Sequence, residues 1–130
     1  MDDTTLLLRQ IHPCFFQNGQ VSSQAFRPTP KDENRLSVYD GDQITPQQAW
    51  EHFTRMPRCT SIGVMGVTVA ECAALLLPTH PDPAPFPEHA IIDFSACTKS
   101  QVEKKAKQLR MQATARDWLY RATPSSSPSD

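Results

Sequence analysis

The chain has 130 residues, 38% of them apolar, with twelve prolines and a formal net charge of −1. That length suits one compact domain with a core of its own. The prolines assign much of the chain to loops, and the near-zero charge excludes a general polyanion binder. The charge is unevenly spread. Residues 1–97 carry six Lys/Arg against eleven Asp/Glu, whereas residues 98–121 carry seven against two. An acidic body with a basic end suits a protein partner that presents an acidic face, or self-association.

Thr4 to Ile11 mixes leucines with Thr, Arg and Gln before Pro13, and predicts a first strand. Asn18-Gly19 is a turn signal. Val21 to Phe26, bounded by Pro28 and Pro30, predicts a brief or edge strand. Lys31-Asp32-Glu33-Asn34 is a charged turn, and Leu36 to Tyr39 is a strand ending at Asp40-Gly41-Asp42. Thr45-Pro46 opens a helix, with Thr capping free N–H groups and Pro at the first helical position. Ala49, Trp50 and Phe53 form its apolar stripe, and Pro57 ends it.

Ser61 to Val67 predicts a buried strand in which Gly63 and Gly66 let another segment come close. Thr68-Val69-Ala70-Glu71 has capping-box spacing and predicts a short helix through Ala74. Five prolines between Pro78 and Pro87 predict an extended connection with no regular element. His89 to Phe94 is a strand. Ser100-Gln101-Val102-Glu103 reads as a second capping box opening the longest helix, to about Arg116. Val102, Ala106, Leu109 and Ala113 lie on one face of it, and Trp118-Leu119-Tyr120 packs back on the body. The expected architecture is a single α+β domain over residues 1–121: a mostly antiparallel or mixed sheet of four or five short strands, with two or three helices packed on one face. Residues 122–130 form a Ser/Pro-rich tail expected to be disordered.

Chemistry-bearing patterns are sparse. No His or Cys pair has zinc-site spacing, so no metal centre is expected. The sequence lacks a Gly-x-Ser-x-Gly nucleophile elbow, and Gly63-Val64-Met65-Gly66 lacks the Lys-Ser/Thr of a phosphate loop. Of the four cysteines, only Cys14, near His12, invites comparison with a thiol–base pair. No apolar run approaches the ~20 residues of a membrane span. Met1-Asp2-Asp3-Thr4 has no basic signal-peptide start. A cytoplasmic protein with reduced thiols and no cofactor is the expectation.

Two functional expectations remain. The first is a non-enzymatic protein-interaction module that docks another protein through the basic last helix, at Lys104, Lys105, Lys107 and Arg110. Nucleic acid is a poorer fit, since that helix has no interleaved aromatics. The second is a nucleotide or small-molecule cleft built from His12, Arg27, Ser37, Tyr39 and His89. A His or Arg on a first strand and a Ser on a second resembles, in arrangement only, the NAD sites of ADP-ribosyltransferase-like proteins. The later catalytic Glu has no counterpart here, because Glu71 is committed to a helix cap.

The pattern Val21-Ser22-Ser23-x-Ala25-Phe26-Arg27-Pro28, Leu36-Ser37-Val38, Gly63-Val64 with Val67, Asp82-Pro83-x-Pro85 and His89-Ala90 is similar to a group of small uncharacterised bacterial proteins over most of residues 5–120. The resemblance implies a bacterial cytosolic accessory protein; the interaction-module expectation, which rests on the missing catalytic signatures and the charge asymmetry, extends to an accessory or immunity component of a defence or toxin system. The resemblance carries no activity.

Overall fold

A computed structural model describes residues 1–29, 31 and 33–122. In chain order the regular elements are β1 (Leu6–Gln10), β2 (Phe16–Gln17), β3 (Gln20–Val21), β4 (Arg35–Asp40), α1 (Pro46–Arg55), β5 (Gly63–Thr68), α2 (Val69–Ala74), β6 (Thr79–Pro81), β7 (His89–Asp93), α3 (Lys99–Arg116) and β8 (Tyr120–Arg121). Short 3₁₀ turns span Pro13–Phe15 and Ser23–Phe26. Six strands form one sheet in the order β6-β7-β4-β1-β5-β8, every pair antiparallel. The fold is α+β, as the sequence predicts, with one strand more than expected.

The predicted Val21–Phe26 segment stays out of this sheet, and two unpredicted strands join it: β8 after α3, and β6 inside the proline-rich run. β6 survives there because it lies at the sheet edge, where a proline costs no central ladder bond. β2 and β3 form a separate hairpin. Asn18 and Gly19 turn it with φ of 54° and 76°, the left-handed pair that a two-residue connection requires. Val21 to Phe26 is not a strand beyond Val21. The Ser22 hydroxyl accepts from the Gln24 N–H and caps a 3₁₀ turn, which buries Ala25 and Phe26 against α3.

Strand alternation divides the sheet into two apolar faces. Leu7, Leu36, Val38, Val67, Ala90 and Ile92 join the main core, which α3 closes with Val102, Ala106, Leu109 and Ala113. Leu8, Tyr39 and Val64 point the other way and meet Ala49 of α1. The expected helical cover on one face therefore holds for α2 and α3, while α1 covers part of the second face. β1 and β5 carry apolar residues on both sides, Leu7, Met65 and Val67 toward the main core and Leu8 and Val64 toward the other, so each side needs a cover.

Capping boxes start all three helices: Thr45 with Gln48, Thr68 with Glu71, and Thr98 with Gln101. The last box begins two residues before the predicted Ser100, because Lys99 and Ser100 already belong to the helix. A Cβ at Gly63 would lie 2.5 Å from the Tyr120 carbonyl oxygen, and one at Gly66 2.6 Å from Leu119 Cδ1. These two positions let residues 118–120 lie flat on β5. Among the described residues, no helix is long and apolar enough to cross a membrane. The predicted tail lies outside the described residues from 123 onward; Ala122 still donates to the Ile62 carbonyl.

Candidate functional site

The antiparallel register places Leu8, Tyr39 and His89 side by side across β1, β4 and β7. The two-residue period puts Gln10 on the Leu8 side of β1 and Ser37 on the Tyr39 side of β4. Beyond Leu8 the β1–β4 ladder stops. Arg9 spans the opening instead, donating from Nη1 to the Ser37 carbonyl (2.9 Å) and from Nε to the Ala25 carbonyl (2.7 Å). A cleft of ≈ 280 Å³ lies over this split. Its base is Leu8, Gln10 and Tyr39, and its walls are Phe53 and Met56 from the α1 side and Phe86 from the loop after β6.

Phe86 is the hub of the wall. Its ring centroid lies 4.5 Å from that of His52, 5.0 Å from Tyr39 and 5.2 Å from His89. Prolines at 85 and 87 restrict the backbone that presents this ring. The loop is tied back by a hydrogen bond between His89 Nδ1 and the Asp82 carbonyl (2.9 Å), and by the Asp82 N–H donating to the His89 carbonyl (2.9 Å).

The polar groups of the cleft are nearly all engaged. Tyr39 Oη and His52 Nδ1 share a hydrogen bond of 2.8 Å, and His89 Nε2 and Ser37 Oγ one of 3.2 Å. Burial pushes the Tyr39 phenol well above its usual range, with Cys59 and Glu88 adding to the shift, so the phenol stays protonated at neutral pH. Gln10 donates from Nε2 to the Ala49 carbonyl (3.0 Å). Its Oε1 is buried and accepts nothing.

Of the five residues predicted to form a ligand cleft, Ser37, Tyr39 and His89 line it together. His12 and Arg27 do not. His12 is exposed at the head of the first 3₁₀ turn, where its Nδ1 accepts from the Cys14 backbone N–H (3.0 Å). The ring thus caps a turn, and its contact is with the backbone of Cys14 and not with the thiol. Arg27 sits by α3, 3.5 Å from Glu103. Sequence reasoning missed Gln10, His52, Phe53, Met56 and Phe86. The available signals were the two-residue spacing from Leu8 to Gln10 and an aromatic set between prolines.

The four basic residues predicted as a docking face divide as well. Lys104 and Lys107 are exposed. Lys105 Nζ lies 3.6 Å from Cys97 Sγ, and Arg110 donates from Nε to the Val21 carbonyl (3.1 Å). Arg110 is therefore a strut between α3 and β3. Beside Lys104 and Lys105, Leu76 is 82% exposed and holds a left-handed backbone, with φ of 60°.

The four cysteines are unpaired, and burial, aided by Glu71, pushes the Cys72 thiol up to about 12. Among the described residues, no group of three or more His, Cys, Asp or Glu side chains could hold a metal ion. Set against known protein families, curated proteins and solved structures, the chain matches none of them.

Proposed function

We propose that this chain is a small binding domain that takes a small molecule in the cleft between α1, β4 and the Phe86 loop. The observation that carries this reading is the convergence of Ser37, Tyr39 and His89 with Gln10 and an aromatic wall around one concave space. An apolar pocket with a few placed polar groups is the usual form of a ligand site. In a screen of aromatic fragments followed by ¹H–¹⁵N NMR, the shifted backbone amides are expected to cluster at Leu8, Tyr39 and His89. Phe86→Ala, which removes the hub of the wall, should weaken those fragments at least fivefold. Shifts confined to residues outside the cleft, or binding indifferent to Phe86, overturn the reading.

A second reading, in which the chain is a bacterial cytoplasmic accessory or immunity component that docks another protein, has its own support. Leu76, Lys104 and Lys105 line one groove between the end of α2 and α3. An exposed leucine beside two cations suits an acidic segment with an apolar anchor. A specific partner recovered from the native host by the wild-type chain should be lost to a Leu76→Ser/Lys104→Glu double variant. Equal recovery by both chains removes this face from consideration.

A further inference from the structure

Three polar residues at the cleft are linked in series, Ser37 to His89 to Asp82. Ser37 on β4, His89 at the start of β7 and Asp82 just past β6 lie on three neighbouring strands. In the β4–β7 register His89 stands opposite Tyr39, so Ser37 is its diagonal neighbour on the same face. The Asp82 N–H donates to the His89 carbonyl and holds Asp82 across from the ring. His89 Nδ1 lies 2.9 Å from the Asp82 carbonyl oxygen and 3.4 Å from Asp82 Oδ2. A carbonyl only accepts, so in the neutral ring Nδ1 carries the proton and Nε2 presents its lone pair. Nε2 is 3.2 Å from Ser37 Oγ, which therefore donates to it.

A hydroxyl bonded to an imidazole whose other nitrogen faces a carboxylate is the arrangement that activates a serine, and it is recognised by geometry rather than by sequence position. The surroundings suit that role. Ser37 is exposed and His89 is buried, so the hydroxyl is open to a substrate while the base is shielded. Ser37 also stands where two hollows meet: the apolar cleft of ≈ 280 Å³ and a polar one of ≈ 240 Å³ lined by Lys31, Glu33, Arg35 and Asp82. A bond broken at Ser37 has room for an aromatic half on one side and a polar half on the other. Arg9, whose Nη1 donates to the Ser37 carbonyl (2.9 Å), holds a positive charge beside the position where an oxyanion would develop.

We propose that the cleft hydrolyses small, uncharged aryl esters, with Ser37 as nucleophile, His89 as general base and Asp82 as a positioning residue. This chemistry rests on the cleft being a binding site and adds an activity to it. Ser37 Oγ bonds to the ester carbonyl carbon as its proton passes to His89 Nε2. The bond to the aryl oxygen then breaks, and that oxygen leaves with the proton from Nε2. A water molecule attacks the acylated serine in the same way, His89 returns the proton to Oγ, and the net change is ester plus water to acid plus phenol. The test uses the full chain and phenyl acetate. Phenol release is expected to fall about a hundredfold or more in Ser37→Ala. Asp82→Asn keeps the carbonyl bond to Nδ1 but removes the charge that offsets the imidazolium, so it should lower kcat and leave KM in place. Cys14→Ser, which alters an exposed thiol outside the cleft, should hydrolyse like wild type. As a measurement that needs no variant, phenylmethanesulfonyl fluoride should lose fluoride to a bond between its sulfur and Ser37 Oγ, read as an adduct on Ser37 by peptide mass spectrometry. Hydrolysis that survives in Ser37→Ala or vanishes in Cys14→Ser, or an adduct found only elsewhere, overturns Ser37 as the nucleophile. An unchanged kcat in Asp82→Asn removes that carboxylate from the series. If the amides of Leu8, Tyr39 and His89 shift with phenyl acetate while the ester stays intact, the activity is overturned and the binding reading stands. Neither shifts nor hydrolysis overturns both.

Discussion

Replacing Phe26 by alanine is expected to destabilise the protein by about 3–5 kcal/mol, the range for emptying a fully buried aromatic site. Phe26 is wholly buried in the main core and sits in the 3₁₀ turn Ser23–Phe26, which packs on α3. That turn cannot easily collapse into the space. Its start is capped by Ser22, its Ala25 carbonyl is held by Arg9 Nε, and the neighbouring Val21 carbonyl is held by Arg110. A cavity with pinned walls retains most of its cost. Against a stability of about 5–15 kcal/mol for a domain, such a loss is a large share. Urea unfolding followed by circular dichroism measures it. A loss below about 1 kcal/mol would show that the turn relaxes into the cavity and is not pinned. Because Arg9 also bridges the split over which the cleft lies, the Phe26→Ala chain should bind cleft ligands more weakly as well.

The Phe26 turn also marks the limit of what periodicity can reveal. Val21-Ser22-Ser23-Gln24-Ala25-Phe26 contains β-prone residues between prolines, and a strand is the natural inference. What decides the conformation is one local hydrogen bond, from the Gln24 N–H to the Ser22 hydroxyl, together with burial of two adjacent residues on α3. Adjacent buried residues suit a helical turn and not a half-buried strand. Features set by local chemistry were legible: the Asn18-Gly19 turn, the caps at Thr45 and Thr68, and the apolar stripe of α3. Features set by tertiary pairing were not. Ser37 and Tyr39 share a face by strand period alone, but only the register with β7 brings His89 to them. His12 and Arg27 have the right chemistry for a site, yet a turn cap and the Glu103 contact hold them elsewhere. Apolar residues on both sides of β1 and β5 were the readable sign that a helix would cover the second face.

The second large effect concerns Arg116, which locks the end of α3 to the start of α2. Its guanidinium donates in a fork to Glu71, from Nη1 to Oε1 at 3.0 Å and from Nη2 to Oε2 at 2.8 Å, and Nη1 also reaches the Gly66 carbonyl at 2.9 Å. Glu71 accepts the Thr68 N–H at the same time (2.8 Å), so one carboxylate serves both a helix cap and an ion pair. The side chains are only 28% and 20% exposed, which places the pair between a surface bridge and a buried one. Arg116→Met should cost about 1–3 kcal/mol, since it leaves a half-buried carboxylate with its strongest donors gone. Arg116→Lys should recover only part of that, because an ammonium cannot make the fork. Burial alone would raise the Glu71 carboxyl, but the Arg116 hydrogen bonds and charge and the Thr68 donor outweigh it and hold the group below its ordinary 4.5. A carboxyl lowered on folding stabilises fully above its unfolded value, and the contribution disappears as pH falls through the lower folded value. Asp93 is lowered too, chiefly by hydrogen bonds from Ser95, so the acid limb of the total profile does not isolate Glu71. The difference between wild type and Glu71→Gln does. It should be constant from neutral pH down to about 4.5 and then shrink as the wild-type carboxylate takes up its proton. A difference that stays level down to pH 3 would mean that the Glu71 charge adds nothing to the fold, and that its hydrogen bonds to Arg116 and Thr68 act as neutral contacts.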